Sequence, residues 1–332
     1  AASAGKGKRM SRRVAAIRRV AAATALLLVG ALGLSGCVGP SSLGDRNLQI
    51  AGGGTTGVYY SYGDELATAL HEERGLNIEV AETHGSVDNL FRVGAGVALV
   101  GFAQGDTAAD AIAGTGAFSR PLPVQAIARV YDEYVHIVVP ADSDIERISD
   151  LAGHRVSLGA PDSGVQVIAT RVLDSSNVPL DQIENPQLGL DASIEALEQG
   201  EIDGFFWVGG LPTHGIVALR EETPIRLLPI SVNTVERVNA GHAGVYRIAD
   251  FPVGTYGVET PTATMTVPNY LITSKDTPED VVYDVTRTLF EQRPAIARRV
   301  AAAEFLDRRQ AIFTGPMDLH DGAVRYYREA RR

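Results

Sequence analysis

The 332-residue chain sets 30 Lys+Arg against 40 Asp+Glu, a net charge of −10, with 45% hydrophobic residues and one cysteine. That balance argues against a nucleic-acid partner, because phosphate contact needs a basic stripe. A lone cysteine cannot staple the fold, so a buried apolar core must hold it, and the length favours two lobes of about 100–150 residues over one core.

The basic residues are concentrated at the start. Lys6, Lys8, Arg9, Arg12, Arg13, Arg18 and Arg19 precede residue 37 with no acidic residue among them, and Val20 to Leu34 is charge-free but too short for a comfortable bilayer span. The pattern predicts a signal peptide over 1–36 and leaves the export route, Sec or twin-arginine, open. Without those seven bases, 23 Lys+Arg face 40 Asp+Glu, a net charge of −17. Leu34-Ser35-Gly36-Cys37 resembles the lipobox of bacterial lipoproteins. The resemblance implies cleavage before Cys37 and acylation of that residue, and two anchoring signals hold a protein stably on a membrane. The alternative for Cys37 is a buried free thiol. Small and polar residues over 37–46 suit a flexible tether.

Alternating strand and helix patterns begin near Asn47. Strands are expected at Leu48 to Ala51, Leu76 to Glu82 and Val97 to Phe102, with helices at Val58 to Glu73, Val87 to Val93 and Thr107 to Ile112. Pro123 to Val139 reads as two strands broken at Tyr131-Asp132-Glu133. A second series follows, with strands at Arg155 to Leu158 and Gly204 to Val208 and helices at Val165 to Leu173, Ala192 to Gln199 and Pro212 to Arg220. A strand at Thr266 to Ile272 and helices at Glu279 to Phe290 and Pro294 to Arg308 return to the first lobe. This grammar predicts an α/β fold with a mainly parallel sheet and helices on both faces. The expected division is 47–132 with 265–332 as lobe 1 and 133–264 as lobe 2.

Four segments stand where ligands gather, at strand carboxyl ends or the helix heads that follow them. Ala51-Gly52-Gly53-Gly54-Thr55-Thr56-Gly57-Val58-Tyr59-Tyr60 allows close backbone approach and aims helical N–H groups at an anion. It lacks the Gly-Lys-[Ser/Thr] of a P-loop and the third glycine of a dinucleotide fingerprint, and a purely structural turn is the alternative. Gly85-Ser86-Val87-Asp88-Asn89 and Gln104-Gly105-Asp106 offer polar side chains at helix heads, where Ser86 and Asp106 equally suit N-caps. Leu158-Gly159-Ala160-Pro161-Asp162-Ser163-Gly164-Val165 repeats the arrangement in the second series, and Phe206-Trp207 ends a strand, as lid or as core.

These segments, in this order from Ile50 to Glu329, resemble the TAXI family, the solute-binding subunits of tripartite ATP-independent periplasmic (TRAP) transporters. Gly52 to Tyr60, Thr83 to Asn89, Phe102 to Asp106, Tyr131 to His136, Ile148 to Ser157, Gly200 to Phe206, Pro252 to Tyr256 and Leu319 to Glu329 carry the likeness. It implies a type II periplasmic-binding-protein fold, two lobes joined by crossover strands around a central cleft. It also implies a small carboxylated solute, glutamate-like or 2-oxoglutarate-like, delivered to TRAP membrane subunits from the outer face of the cell membrane. By position, Thr55, Thr56, Gly57, Tyr59, Ser86, Asn89, Gln104 and Asp106 would meet the solute from lobe 1. Ser163, Gly164 and Val165 would meet it from lobe 2, with Phe206 or Trp207 as lid. The family usually has Ser-Gly-Thr where this chain has Ser163-Gly164-Val165, so a solute with a more apolar or less hydroxylated side group would fit the change.

Catalysis finds little support. The seven histidines show no zinc-binding spacing, no Gly-x-Ser-x-Gly elbow occurs, and the cysteine is assigned to lipid. No metal or cofactor is expected. His320 reads as a cap or packing residue, and Arg129 as a salt-bridge partner rather than a ligand counter-ion. A sensor lipoprotein signalling to a membrane partner, or an enzyme on the same fold, are the competing readings.

Overall fold

The computed structural model describes residues 48–331, so the leader, Cys37 and the tether lie outside the described residues. Among the described residues nine strands form one sheet in the order β2 (Ile78–Ala81), β1 (Leu48–Ala51), β3 (Val100–Gln104), β9 (Thr262–Ser274), β4 (Val124–Pro140), β6 (Gly204–Gly209) and β5 (Val156–Ser157), with β7 (Ile225–Leu227) added along β4 and β8 (Arg247–Phe251) along β9. The first half is built from β1 (Leu48–Ala51), α1 (Val58–Arg74), β2 (Ile78–Ala81), α2 (Ser86–Gly94), β3 (Val100–Gln104) and α3 (Gly105–Ala113). Helix α1 stops at Gly75, whose φ of 66° is a left-handed conformation that glycine adopts without a Cβ clash. The second half holds β5 (Val156–Ser157), α4 (Gly164–Ser175), α5 (Leu190–Glu198), β6 (Gly204–Gly209), α6 (His214–Glu222), β7 (Ile225–Leu227), α7 (Val232–Gly241) and β8 (Arg247–Phe251).

Two long strands serve both halves. The first part of β4 (Val124–Pro140) pairs with the end of β9 (Thr262–Ser274), and its last part pairs with β6 and β7. Strand β9 leaves β8 at Thr266 and reaches β3 from Asn269 onward. Helices α8 (Glu279–Glu291) and α9 (Asp321–Glu329) then pack on each other beside the first half, with Arg325 Nη1 2.9 Å from Glu279 Oε1.

The sheet departs from the expected parallel one. Only β1 with β2, β1 with β3 and β5 with β6 are parallel, while every pairing of β4 and β9 is antiparallel. Nor does Tyr131-Asp132-Glu133 break a strand. It continues β4, opposite Asn269, Pro268 and Val267, with register shifts just before it. Its charges need no solvent turn, because Arg129 grips Asp132 at 2.6 and 2.7 Å and Glu133 is hydrogen-bonded internally. That pair also answers the expectation for Arg129. The region after Arg293 is not one helix: a turn at Arg293–Ile296 gives way at the buried, extended Val300 to a 3₁₀ turn at Ala301–Phe305. Elements β7, α7 and β8 had no counterpart in the expected series.

Separate apolar clusters lie under each half. One joins Leu90, Val93, Phe118 and Ile272, another Ile137, Leu151, Ile168, Val172 and Val235, and a third Val138, Leu197, Phe205 and Ile216. Phe205 is fully buried where β6 meets β4, so Phe205→Ala is expected to lower stability by about 3–5 kcal/mol in urea unfolding, through lost burial and a residual cavity.

Candidate functional site

A cavity of about 400 Å³ lies between the halves, within the size range of small-molecule sites. One wall is formed by the Gly53–Tyr59 turn, by Glu82 to Ser86 and by Gln104; the other is formed by Gly159 to Val165, Gln187 to Ala192 and Phe206 to Gly209. Five helices, α1 to α5, therefore begin at its edge. The first N–H groups of a helix have no partner within it and carry partial positive charge, so these starts together favour an anion. Local sequence builds each of them. Gly57 N donates to Gly54 O at 3.0 Å, Gly53 N donates to Thr83 Oγ1 at 2.9 Å, and Ser163 Oγ caps α4 by accepting from Gln166 N at 3.1 Å.

Of the residues expected from sequence, Gly57, Tyr59, Ser86, Gln104, Ser163, Gly164, Val165, Phe206 and Trp207 line this cavity. Thr55 and Thr56 do not. They are exposed, and their hydroxyls donate to Asp191 across the gap, Thr55 at 3.4 Å. Asn89 is fully buried outside the lining, its Nδ2 donating to Phe102 O at 2.9 Å and its Oδ1 accepting from Thr83 at 2.5 Å. Neither Ser86 nor Asp106 is a side-chain cap; the cap positions belong to Gly85 and Gln104. Ser86 Oγ instead accepts from Gln104 N and sits 3.2 Å from Tyr59 Oη. Phe206 packs into the second-half core as well as facing the cavity, and the Trp207 indole donates to Thr213 Oγ1 at 3.0 Å. His320 is an N-cap, its Nδ1 accepting from Gly322 N at 3.1 Å.

Asp106 is buried away from the cavity lining in a cluster that joins the halves. Arg171 of α4 donates to Asp106 at 2.7 Å and to Asp110 at 2.5 Å, and Tyr246 donates to Asp106 at 2.6 Å. A backbone bond from Asp88 N to Asp162 O, at 3.1 Å, joins them at the cavity rim. A Cβ on Gly164 would collide with Gln104 Oε1 and stand 2.8 Å from Ser86 Oγ, so the approach of α4 to the first half needs glycine there.

Glu133 is the wall residue that the motif analysis missed. Only 1% exposed, it accepts from Gln104 Nε2 at 2.9 Å, Asn269 Nδ2 at 2.8 Å, Tyr131 Oη at 3.2 Å and Tyr59 Oη at 3.3 Å. No ion-pair partner reaches it among the described residues. Burial pushes its pKa up to about 8, although the four hydrogen bonds work in the other direction. Burial, with Glu133 nearby, also raises the Tyr59 and Tyr131 phenols. An acidic residue amid a β-branched run with no glycine, proline or asparagine beside it was the available signal.

The profile of the NMT1-like family matches residues 50–330, nearly all of what the structure describes. The chain belongs to the NMT1-like family. Among solved structures it is similar to MatC of Rhodopseudomonas palustris with bound malate, at 14% identity and a TM-score of 0.53, covering 86% of this chain and 96% of that one. A structure described as a periplasmic transporter matches at 13% identity and a TM-score of 0.51, covering 86% and 92%. The α/β architecture is therefore the periplasmic-binding-protein fold expected from sequence.

Within this family member the Glu133 carboxyl has a thermodynamic signature. Its folded-state pKa lies above the ordinary 4.5, so the folded chain holds a proton that the unfolded chain has released, and stability falls as pH rises toward 8 by about 1.4 kcal/mol per pH unit. His136, buried with its pKa lowered to about 4, acts oppositely: it favours the folded state less as pH drops below 6.5. Between pH 6.5 and 8 the Glu133 contribution stands without that opposition. Thermal unfolding of the unliganded protein is expected to move to lower temperature across this interval, and Glu133→Gln is expected to flatten the slope.

Proposed function

We propose that the chain is a lipid-anchored extracytoplasmic solute receptor of the TAXI type, binding a small carboxylated solute and delivering it to TRAP membrane subunits. Residues 47–132 with 265–332 form one lobe and 133–264 the other, and the solute, glutamate-like or 2-oxoglutarate-like, lies between them. The observation that carries this reading is the convergence of five helix starts from both halves on one cavity whose lining holds no lysine or arginine. A carboxylate there is met by backbone N–H groups. Each helix end contributes about 0.3–1 kcal/mol, up to about 2 when partly buried, so several acting together hold what one cannot. Ser163, Gly164 and Val165 supply the second lobe's share, Gly57 and Ser86 the first's, and Tyr59, Phe206 and Trp207 shape the apolar wall.

Closure follows from the same geometry. A solute touching both lobes stabilises only the form in which both walls are present, which is the differential affinity a conformational signal requires. The chain acts as a receptor rather than an enzyme, and the membrane subunits read the closed form.

Thermal shift against amino acids and dicarboxylates tests the reading, because a solute at about 100 Kd adds about 2.7 kcal/mol of stability. At least one carboxylate is expected to raise the melting temperature, and a flat panel would refute the proposal. Gly164→Ala is expected to weaken that solute at least about tenfold in calorimetry, equivalent to about 1.4 kcal/mol, while leaving the fold intact, since its Cβ blocks the approach to Gln104. For the anchor, Cys37→Ser is expected to move the protein from the membrane to the soluble envelope fraction on cell fractionation.

A further inference from the structure

The chemistry left over around Glu133 is one-sided. Every donor that reaches it, from Tyr59, Gln104, Tyr131 and Asn269, is spent on its two oxygens. What remains are acceptors: Gln104 Oε1 and Asn269 Oδ1 are both buried without a hydrogen-bond partner. Both amides turn their N–H groups to Glu133 and their oxygens away from it. Gln104 is 2% exposed and, like Glu133, lines the cavity. Other ionisable groups on that lining are Glu82, His84 and Asp191, with no fixed cation among them. A buried carboxylate beside an unpartnered amide oxygen calls for a positively charged donor, and the bound solute is the group that can bring one.

We propose that Glu133 and Gln104 Oε1 form a subsite for the cationic nitrogen of the solute, so that the receptor takes ammonium-bearing carboxylates in preference to the corresponding 2-oxo acids. This rests on the receptor reading above and narrows its solute class. The solute's carboxylate lies at the helix starts and its ammonium reaches the inner wall. Glu133 binds a proton in the empty site more readily than an ordinary glutamate, and the incoming ammonium displaces that proton to solvent. Of the titratable groups facing Glu133, Tyr59 comes from α1 and Tyr131 from β4, and burial keeps both phenols neutral through this pH range. Both members of a matched pair carry the same carboxylate, so the ratio of the two affinities reads the group that meets the nitrogen.

The test is calorimetry of the full chain with three matched pairs: L-glutamate and 2-oxoglutarate, L-alanine and pyruvate, L-leucine and 4-methyl-2-oxopentanoate. In the pair that binds, the amino acid is expected to be at least about tenfold tighter, and Glu133→Gln is expected to erase that preference by weakening the amino acid alone. With the unaltered protein, the amino-to-oxo ratio is expected to grow about tenfold per pH unit between pH 6.5 and 7.5, with proton release seen as a dependence of binding heat on buffer ionisation. That second measurement keeps the proposal testable even if Glu133→Gln fails to fold. A 2-oxo acid binding as tightly as its amino partner, or a ratio that falls with pH, would overturn the ammonium subsite and leave the receptor standing. No binding in any pair would overturn both.

Discussion

The pairing of β4 with β9 is the constraint from which the rest of the structure follows. Each strand belongs to the first half at one end and the second half at the other, so one ladder of antiparallel hydrogen bonds spans the cleft floor. Glu133 and Asn269 stand where the two strands change neighbours, Tyr131 lying opposite Asn269 and Glu133 opposite Val267. The four donors to Glu133 come from α1, β3, β4 and β9, and the carboxyl they hold is buried.

Two kinds of electrostatics meet in the cavity. The rim is made of helix starts, whose N–H groups offer weak, distributed positive potential suited to a carboxylate. The inner wall carries the Glu133 carboxyl, held by four neutral donors and protonated in the empty site below about pH 8. Hydrogen bonds to a charged group contribute about 1.5–3 kcal/mol each, enough to offset part of the desolvation cost but not to return the carboxyl to its ordinary pKa. Val165, Phe206 and Trp207 add apolar lining, which lowers the local dielectric and strengthens the polar contacts in the cavity.

The contacts between the halves are of a different character. Arg171 with Asp106, Asp110 and Tyr246 forms a buried, fully engaged ionic cluster, and breaking such a cluster by removing one partner costs far more than its net contribution to stability. It lies away from the cavity lining, whereas Thr55 and Thr56 meet Asp191 at the exposed edge. At Gly164 the second side comes so close to the Gln104 side chain that a Cβ would collide with it. Asp106, Thr55 and Thr56 thus connect the walls of the cavity without lining it.

Much of this was readable beforehand, and the exceptions share a cause. Helix starts at Gly57, Ser86, Gln104 and Ser163 were legible because glycine-bearing turns after apolar strands leave a local imprint. Asn89 and Asp106 were drawn to the cavity by sequence proximity to those turns. Each residue along a helix turns the side chain by about 100°, and only packing decides which face meets the gap. The Tyr131-Asp132-Glu133 segment reads as a break between two strands because charged residues in a strand normally seek water. Its partners come from α1, β3 and β9, separated from it in sequence by up to 136 residues. The sequence by itself therefore determined the alternation of elements, the glycine-bearing turns that open the helices and the charge balance, all properties of neighbouring residues. The tertiary structure alone decided the antiparallel pairing of the crossover strands, the Arg171 cluster and the burial of Glu133, because each depends on groups that are far apart in the chain and become partners only on folding.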